Sequence, residues 1–290
     1  MILVAGGTGS VGTRIVSGLR EEGAPVRLLA RATSNHAALE RAGAEVVIGD
    51  LKDPSSLARA CRGVTVLITT ASASTRGDDS IETVDLRGNA NLVDAARAAG
   101  VEHFIFVSTV GASADSPVPV FRAKGMTEQR LQASGMTWTV LQPNAFMDVW
   151  FPMLIERPAF SGDPVTLVGD SRRRHTFVAE QDVARFAMAA VRTPAARNTT
   201  IVIGGPEALT FRDVVRTYEQ AAGRSFAVRS VAPGEPIPGL PEPVWGIAAA
   251  LETYDTIIPM EDTASRYGVR LTTALEFARA RVALASPASA

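Results

Sequence analysis

The sequence predicts an α/β fold: a parallel sheet with helices on both faces, followed by a smaller mixed lobe. Three observations carry this. Short apolar runs, many of them β-branched, recur at Ile2–Ala5, Val26–Ala30, Glu45–Ile48, Val64–Thr70, His103–Val107 and Thr137–Leu141. Each is bounded by turn residues, as strands buried on both faces are. Segments of helical period separate them, several closed by a glycine (Gly23, Gly63, Gly100, Gly135) that can take the left-handed cap. Five strand–helix repeats before a sixth strand imply right-handed crossovers in one sheet.

The first strand runs without a spacer into Gly6-Gly7-Thr8-Gly9-Ser10-Val11-Gly12, and Val11, Ile15 and Leu19 then mark one helix face. Strand, glycine turn and helix make the phosphate-binding corner of a Rossmann-type unit. Glycines let the backbone turn sharply and approach a pyrophosphate, which meets the free N–H groups of the helix start. Gly6, Thr8, Gly9, Ser10, Val11 and Gly12 are therefore candidate dinucleotide contacts. The alternative is a tight strand–helix turn without a ligand.

The second strand, Val26–Ala30, closes in Arg31, 19 residues past Gly12, with Thr33 and Ser34 beside it and no carboxylate before Glu40. An acid here favours a free ribose hydroxyl, and an arginine a 2′-phosphate. The expected cofactor is NADP(H); the alternative is a solvated surface arginine. Ser34–Arg41 reads as a short helix. After the third strand, Asp50 and Leu51 stand where a side chain can reach adenine, although Asp50 can equally cap a turn. Asp53-Pro54 opens the next helix as N-cap and N1. The small-residue loop Thr70-Ala71-Ser72-Ala73-Ser74 suits a backbone passing close to the cofactor, which adds Thr70 and Ala71 to the candidates. One long helix is expected over Ser80–Ala99, and another over Val120–Ser134. Ser108-Thr109 stands at the C-terminal tip of the fifth strand, where open parallel sheets bind ligands. His103, at the opposite end, reads as structural.

From Gln142 the rhythm breaks. Pro143, Pro152, Pro158 and Pro164 interrupt a stretch containing Phe146, Met147, Trp150, Phe151 and Met153, which either lines an apolar substrate pocket or packs as plain core. Phe146, Met147 and Trp150 are the substrate-binding candidates. Arg172-Arg173-Arg174 reads as a solvated loop rather than a phosphate grip, and His175 has no partner adjacent in sequence. Further on we expect a helix over Glu180–Val191 and a short strand over Ile201–Ile203. A capping box at Thr210-x-x-Asp213 opens a helix to Ala222. Pro233–Pro243 reads as a loop, with helices over Val244–Thr253 and Thr273–Leu284 before a frayed Ala/Ser/Pro tail. The expected division is a dinucleotide-binding domain over 1–145 and a substrate-capping lobe over 146–290, interleaved with it.

Composition narrows the classes further. With 46% hydrophobic residues and a net charge of −1, the chain reads as globular, with no electrostatic case for nucleic acid or a membrane surface. No apolar run approaches the ~20 residues of a membrane span, and Met1 leads straight into a strand, leaving no room for a signal. The expected location is cytoplasmic, so the sequon at Asn198 reads as chance. The single Cys61 reads as a small buried hydrophobe, and no metal site is expected. The oligomeric state is not legible.

Taken together, the glycine turn at 6–12, Arg31, Val-Ser-Thr at 107–109, Phe121-x-x-Lys124, Leu-Gln-Pro-Asn-Ala-Phe-Met at 141–147 and Phe-Val-Ala-Glu-Gln-Asp-Val-Ala at 177–184 resemble an atypical short-chain dehydrogenase/reductase. The branch it is most similar to holds the NmrA-like and isoflavone-reductase-like NADP-binding proteins. That resemblance adds Asn144 to the expected cofactor contacts. The larger superfamily uses Tyr-x-x-x-Lys, but here Val120 stands four residues before Lys124, and Tyr218, Tyr254 and Tyr267 are far from any lysine. The isoflavone-reductase-like branch keeps a lysine without that tyrosine, which implies a reductase in which Lys124 orients the ribose and relays a proton. Lysine is rare here, at Lys52 and Lys124 only, and unlike arginine it can give up its proton when buried. The alternative for Lys124 is a surface pair with Glu128 one turn on. Phe121 is expected to shield Lys124 from water. Ser108 either assists at a substrate carbonyl or caps the strand end. Two functions stay open: an NADPH-dependent reductase of a small apolar electrophile (quinone, enone or carbonyl compound), or a non-catalytic NADP(H)-sensing regulator of NmrA-like type.

Overall fold

In the computed structural model, which describes residues 1–73 and 79–285, all six strands expected in the first part of the chain form. They are β1 (Ile2–Ala5), β2 (Val26–Ala30), β3 (Glu45–Ile48), β4 (Val66–Thr69), β5 (His103–Val107) and β6 (Thr137–Pro143). Sheet order is β3-β2-β1-β4-β5-β6, with the strand Thr199–Ile203 beyond β6. All pairs from β3 through to β6 run parallel. Because the order reverses between β1 and β4, the crossovers leave these two strands in opposite directions. Their C-terminal ends border the crevice in which such sheets hold ligands.

The chain divides into two compact units. The first comprises Met1–Pro143, Val183–Val202 and Arg266–Val269; the second comprises Asn144–Asp182, Ile203–Ser265 and the chain from Arg270. Leu3, Leu57, Leu67, Leu92, Phe104, Phe106 and Leu131 form one fully buried cluster of the first unit. Its helices include α1 (Ser10–Glu21), α2 (Ala37–Arg41), α3 (Pro54–Ala60), α4 (Asn89–Ala98) and α5 (Pro119–Gln132). The face α1 buries is Gly12, Ile15, Val16 and Leu19, whereas the spacing alone had placed Val11 inward. Asp53 caps α3, accepting the Ser55 N–H at 3.0 Å, with Pro54 in its first turn as expected. Cys61 is fully buried, and burial pushes its thiol up to about 11, so it stays a protonated hydrophobe.

The expected single helix over Ser80–Ala99 is corrected. Ile81–Gly88 is wound as a π-helix, capped by Ser80, and only then continues as α4. The fully buried Asn89 stands where the winding changes. Its amide donates to Val84 O, Asp85 O and Ala71 O (3.2, 3.3 and 3.2 Å), with Val84 O also accepting the Asn89 backbone N–H.

The second unit packs a two-stranded parallel sheet, Val165–Val168 with Val228–Val231, near the helices Phe211–Ala222, Glu242–Leu251 and Ala274–Ala285. Thr210 and Asp213 form the expected capping box. The proline-interrupted stretch, to which the sequence assigns no element, is helical: Met147–Phe151, then a π-helical Pro152–Glu156, then Arg157–Ser161. Pro152 and Pro158 lie inside one continuous helical run, at or beside the points where its winding changes between α and π, with Phe151 and Glu156 already helical before these segments. The arginine run is a solvated loop that ties itself down, with Arg172 near Asp170, Arg173 near Asp255 and Arg174 donating to Ala208 O. His175 is fully buried between Leu251 O (2.9 Å) and Thr256 Oγ1 (3.1 Å). Among the described residues no helix is long and apolar enough to cross a membrane. Ser74 and the tail at 286–290 lie outside the described residues.

His103 sets up a pH dependence of the first unit. It is buried at the start of β5, its Nε2 lies 2.8 Å from Thr139 Oγ1, and that hydroxyl donates to Ala196 O at 2.6 Å. With the threonine proton committed to Ala196 O, Nε2–H is the donor to Thr139. Burial, and then the charge of Arg197, lower the ring's pKa from 6.5 to about 4. The folded value lies below the unfolded one, so the contribution is complete above pH 6.5 and is lost as pH falls from there to about 4. The expected loss is roughly 3 kcal/mol. Urea titrations of the native protein and of His103→Gln, which keeps an N–H but does not titrate, measure it. Parallel pH profiles for the two proteins would overturn the assignment.

Candidate functional site

The glycine turn is built around backbone contacts that no side chain could share. Gly6 has φ +74°, and a Cβ there would stand 2.7 Å from both Ala71 N and Thr70 Oγ1. Its carbonyl accepts the Gly9 N–H (3.0 Å) and the Thr70 hydroxyl (3.1 Å), which ties the end of β1 to the end of β4. At Gly12 a Cβ would fall 2.2 Å from Gly6 O and 2.6 Å from Gly7 Cα, so α1 packs directly on the turn. Gly9 is the N-cap and offers no side chain to the first N–H groups of α1. That leaves the helix start suited to an external anion.

In front of the turn lies a cavity of about 430 Å³. Eight of the residues expected at a cofactor line it: Gly6, Thr8, Gly9, Arg31, Asp50, Leu51, Thr70 and Ala71. Ser10, Val11 and Gly12 form the first turn of α1. Asp50 takes up the turn-capping role that the sequence had left open, its Oδ1 accepting the Lys52 N–H at 2.9 Å, while it also borders the cavity. Arg31, half-exposed, pairs with a residue the sequence had not suggested. Its Nη1 lies 2.7 Å from Asp79 Oδ2, and Lys52 Nζ lies 3.4 Å from Asp79 Oδ1.

Lys124 is not the surface lysine of the alternative reading. It is 8% exposed on α5. Its Nζ donates to Val107 O (3.3 Å) at the end of β5 and lies 3.9 Å from Asp85 Oδ1. The ring over the ammonium is Phe106, 5.3 Å to its centroid, not Phe121, which packs against Gly111. Burial lowers the lysine's pKa, opposed by the charges of Asp85 and Glu128. Asp85, 1% exposed, accepts Ser72 Oγ (2.6 Å) and Ala73 N–H (2.9 Å). Ser72 lines the cavity, so one carboxylate connects the groove wall to the lysine. The signal for Asp85 was present but unread: an acid beside Val84 in a stretch otherwise facing inward.

Ser108 is buried and its Oγ donates to Glu128. Glu128 also accepts both contacts from Gln142 Nε2 (3.0 and 3.1 Å). The partner of Glu128 is thus Ser108 rather than Lys124, and the serine can assist at a substrate oxygen only by giving up that bond. The remaining candidates belong to the second unit. Asn144 donates to Thr176 O (3.1 Å) and Thr256 O (3.2 Å). Met147 and Trp150 lie in that unit's core, Trp150 6.2 Å from Phe211 between ring centroids, and Phe146 is half-buried.

Comparison with known proteins agrees with the groove. The family model described as NAD(P)H-binding matches residues 6–194. The chain is 34% identical over 233 residues to the NAD(P)H azoreductase of Xenophilus azovorans, spanning 80% of this chain and 77% of that protein. It is 30% identical over 233 residues to the photosystem II assembly factor Ycf39 of Trieres chinensis, spanning 79% of this chain and 72% of that one. Among solved structures, the NADPH-dependent quinone oxidoreductase QOR2 of Escherichia coli, complexed with NADPH, superposes with a TM-score of 0.80 at 18% identity. That match covers 97% of this chain and 99% of the other, a likeness of fold.

Proposed function

The chain belongs to the NAD(P)H-binding family, and from that premise we propose that it is an NADPH-dependent reductase of small apolar electrophiles, of the NmrA-like kind its motifs resemble. Quinones, enones, carbonyl compounds and azo compounds form the substrate class. The observation that carries this reading is Lys124, a buried lysine of lowered pKa tied through Asp85 and Ser72 to the wall of the glycine-turn groove. The bound nicotinamide supplies a hydride. Gly9 leaves the helix start open for the pyrophosphate, with the N–H groups of α1 facing it, while Gly6 and Gly12 let the turn and α1 pack closely behind it. Arg31 takes the 2′-phosphate, and Asp50 and Leu51 border the adenosine. Lys124 holds a proton at Nζ for the acceptor atom and positions the ribose, while Phe106 and the end of β5 keep water from it.

Screening NADPH oxidation against azo dyes, quinones, enones and aldehydes tests the reading directly. Turnover with at least one class is the expected result. A second reading is favoured by one observation, the commitment of the Ser108 hydroxyl to Glu128, and is compatible with the likeness to an assembly factor. In it the chain binds NADP(H) and signals without chemistry. Tight NADPH binding with no turnover across the panel would select it.

Cofactor choice is tested by Arg31. A charge-assisted contact to phosphate contributes about 1.5–3 kcal/mol, less what the existing Arg31–Asp79 pair supplies, so the native protein should bind NADPH more tightly than NADH, by up to about tenfold. Arg31→Ala should remove most of that preference and leave NADH binding nearly unchanged. Calorimetry giving equal native affinities would refute the assignment.

A further inference from the structure

The cations expected to grip a 2′-phosphate already hold an anion of the chain itself. Arg31 and Lys52 clasp the two oxygens of Asp79 at 2.7 and 3.4 Å. The Asp79 side chain is 4% exposed, while Arg31 keeps a third of its surface open. Asp79 lines the same cavity as Gly6, Gly9 and Leu51. On the other side of Arg31 is a second hollow of about 860 Å³, where Arg31, Lys52 and Arg59 face Asp50 and Asp53. Asp79 therefore lies in the first cavity and pairs with two cations, Arg31 and Lys52, that line the mainly cationic second hollow.

We propose that Asp79 is a specificity-determining residue, an internal carboxylate that competes with the cofactor's 2′-phosphate for Arg31 and Lys52. The inference rests on the assignment of this groove to the cofactor. A phosphate of nearly two negative charges wins the exchange, but gains only the difference between two sets of charge-assisted pairs, because both cations already share a carboxylate and are partly desolvated. Asp79 thus lowers the affinity for phosphorylated ribose without touching the rest of the cofactor. A ligand lacking the 2′-phosphate leaves the clasp in place and is indifferent to it. Asp79 thereby narrows the gap between NADPH and NADH that Arg31 opens.

Asp79→Asn keeps the shape and removes the charge. Calorimetric titration of native protein and variant with NADPH, NADH, 2′,5′-ADP and 5′-AMP separates the possibilities. The expected result is that both 2′-phosphorylated ligands tighten by about tenfold, the scale of one charge-assisted contact, while NADH and 5′-AMP stay within about threefold. Asp79→Ser should behave the same way, and a melting curve for each variant establishes that the unit is folded. Parallel weakening of all four ligands would make Asp79 a structural clasp. Selective weakening of NADH and 5′-AMP would make it a ribose-hydroxyl acceptor. No change in any ligand would mean that the carboxylate does not compete. Each of these outcomes overturns the proposal. Failure of the NADPH preference itself reads out separately, as native protein binding 2′,5′-ADP no better than 5′-AMP.

Discussion

Lys124→Ala is expected to lower NADPH-dependent turnover by about 10²–10⁴-fold, the usual worth of a positioned proton donor. The lysine is nearly enclosed, and its ammonium has three neighbours: the Val107 carbonyl, the Phe106 ring and the Asp85 carboxylate. Removing the side chain leaves Asp85 buried with a partner lost, so a melting curve must accompany the kinetics. Lys124→Arg should not restore activity, because a guanidinium keeps the charge but does not release its proton. The pH profile supplies an independent readout. A proton donor works below its pKa, so turnover should fall as pH rises through the Lys124 value. Burial puts that fall below the ordinary 10.5 of lysine. Full activity of Lys124→Arg would reduce the residue to an electrostatic clamp on the ribose. A fall of less than about threefold for Lys124→Ala would remove it from the chemistry.

How much of this was legible in the sequence depends on the range of the interactions involved. The strands and the glycine turn are local consequences of side-chain period and backbone sterics, and β1, β2, β3 and β5 form over the residues expected. The capping pairs Asp53-Pro54 and Thr210/Asp213 were likewise readable, since each closes within one helical turn. What stayed hidden involves partners far apart in sequence. Arg31 meets Asp79 across 48 residues, and Asp85 reaches Ser72 across 13 and Lys124 by way of the sheet. No spacing rule places a carboxylate from the loop after β4 against a cation after β2; only the fold does. The π-helical winding was missed for a related reason. It is accompanied by Asn89 donating back to Val84 and Asp85, side-chain contacts that helical period does not register. The helices between Met147 and Ser161 were obscured by prolines, which argue against a regular α-helix; here the run continues through them with a π-helical segment at Pro152–Glu156.

Substituting Gly9 and Gly12 by valine is expected to give two different failures, and the contrast tests whether the turn is a ligand site at all. At Gly12 the added Cβ would meet Gly6 O at 2.2 Å and Gly7 Cα at 2.6 Å, both backbone atoms that cannot rotate away. The turn and α1 must then separate, so Gly12→Val should lose cofactor binding together with stability, by about 1–3 kcal/mol or more for such overpacking. At Gly9 the Cβ meets only Gly6 O, at 3.2 Å, and the backbone sits at φ −79°, ψ 173°, a conformation open to any residue. Gly9→Val should therefore fold with a melting temperature near the native one. It should still lose NADPH binding by more than about 100-fold, because Gly9 borders the cavity at the helix start, where a pyrophosphate needs close approach to the backbone. Circular dichroism melts beside calorimetry read both variants. If folded Gly9→Val binds NADPH normally, the glycine turn is a packing device and the cofactor lies elsewhere. If Gly9→Val unfolds as Gly12→Val does, the space at Gly9 serves the fold rather than the ligand.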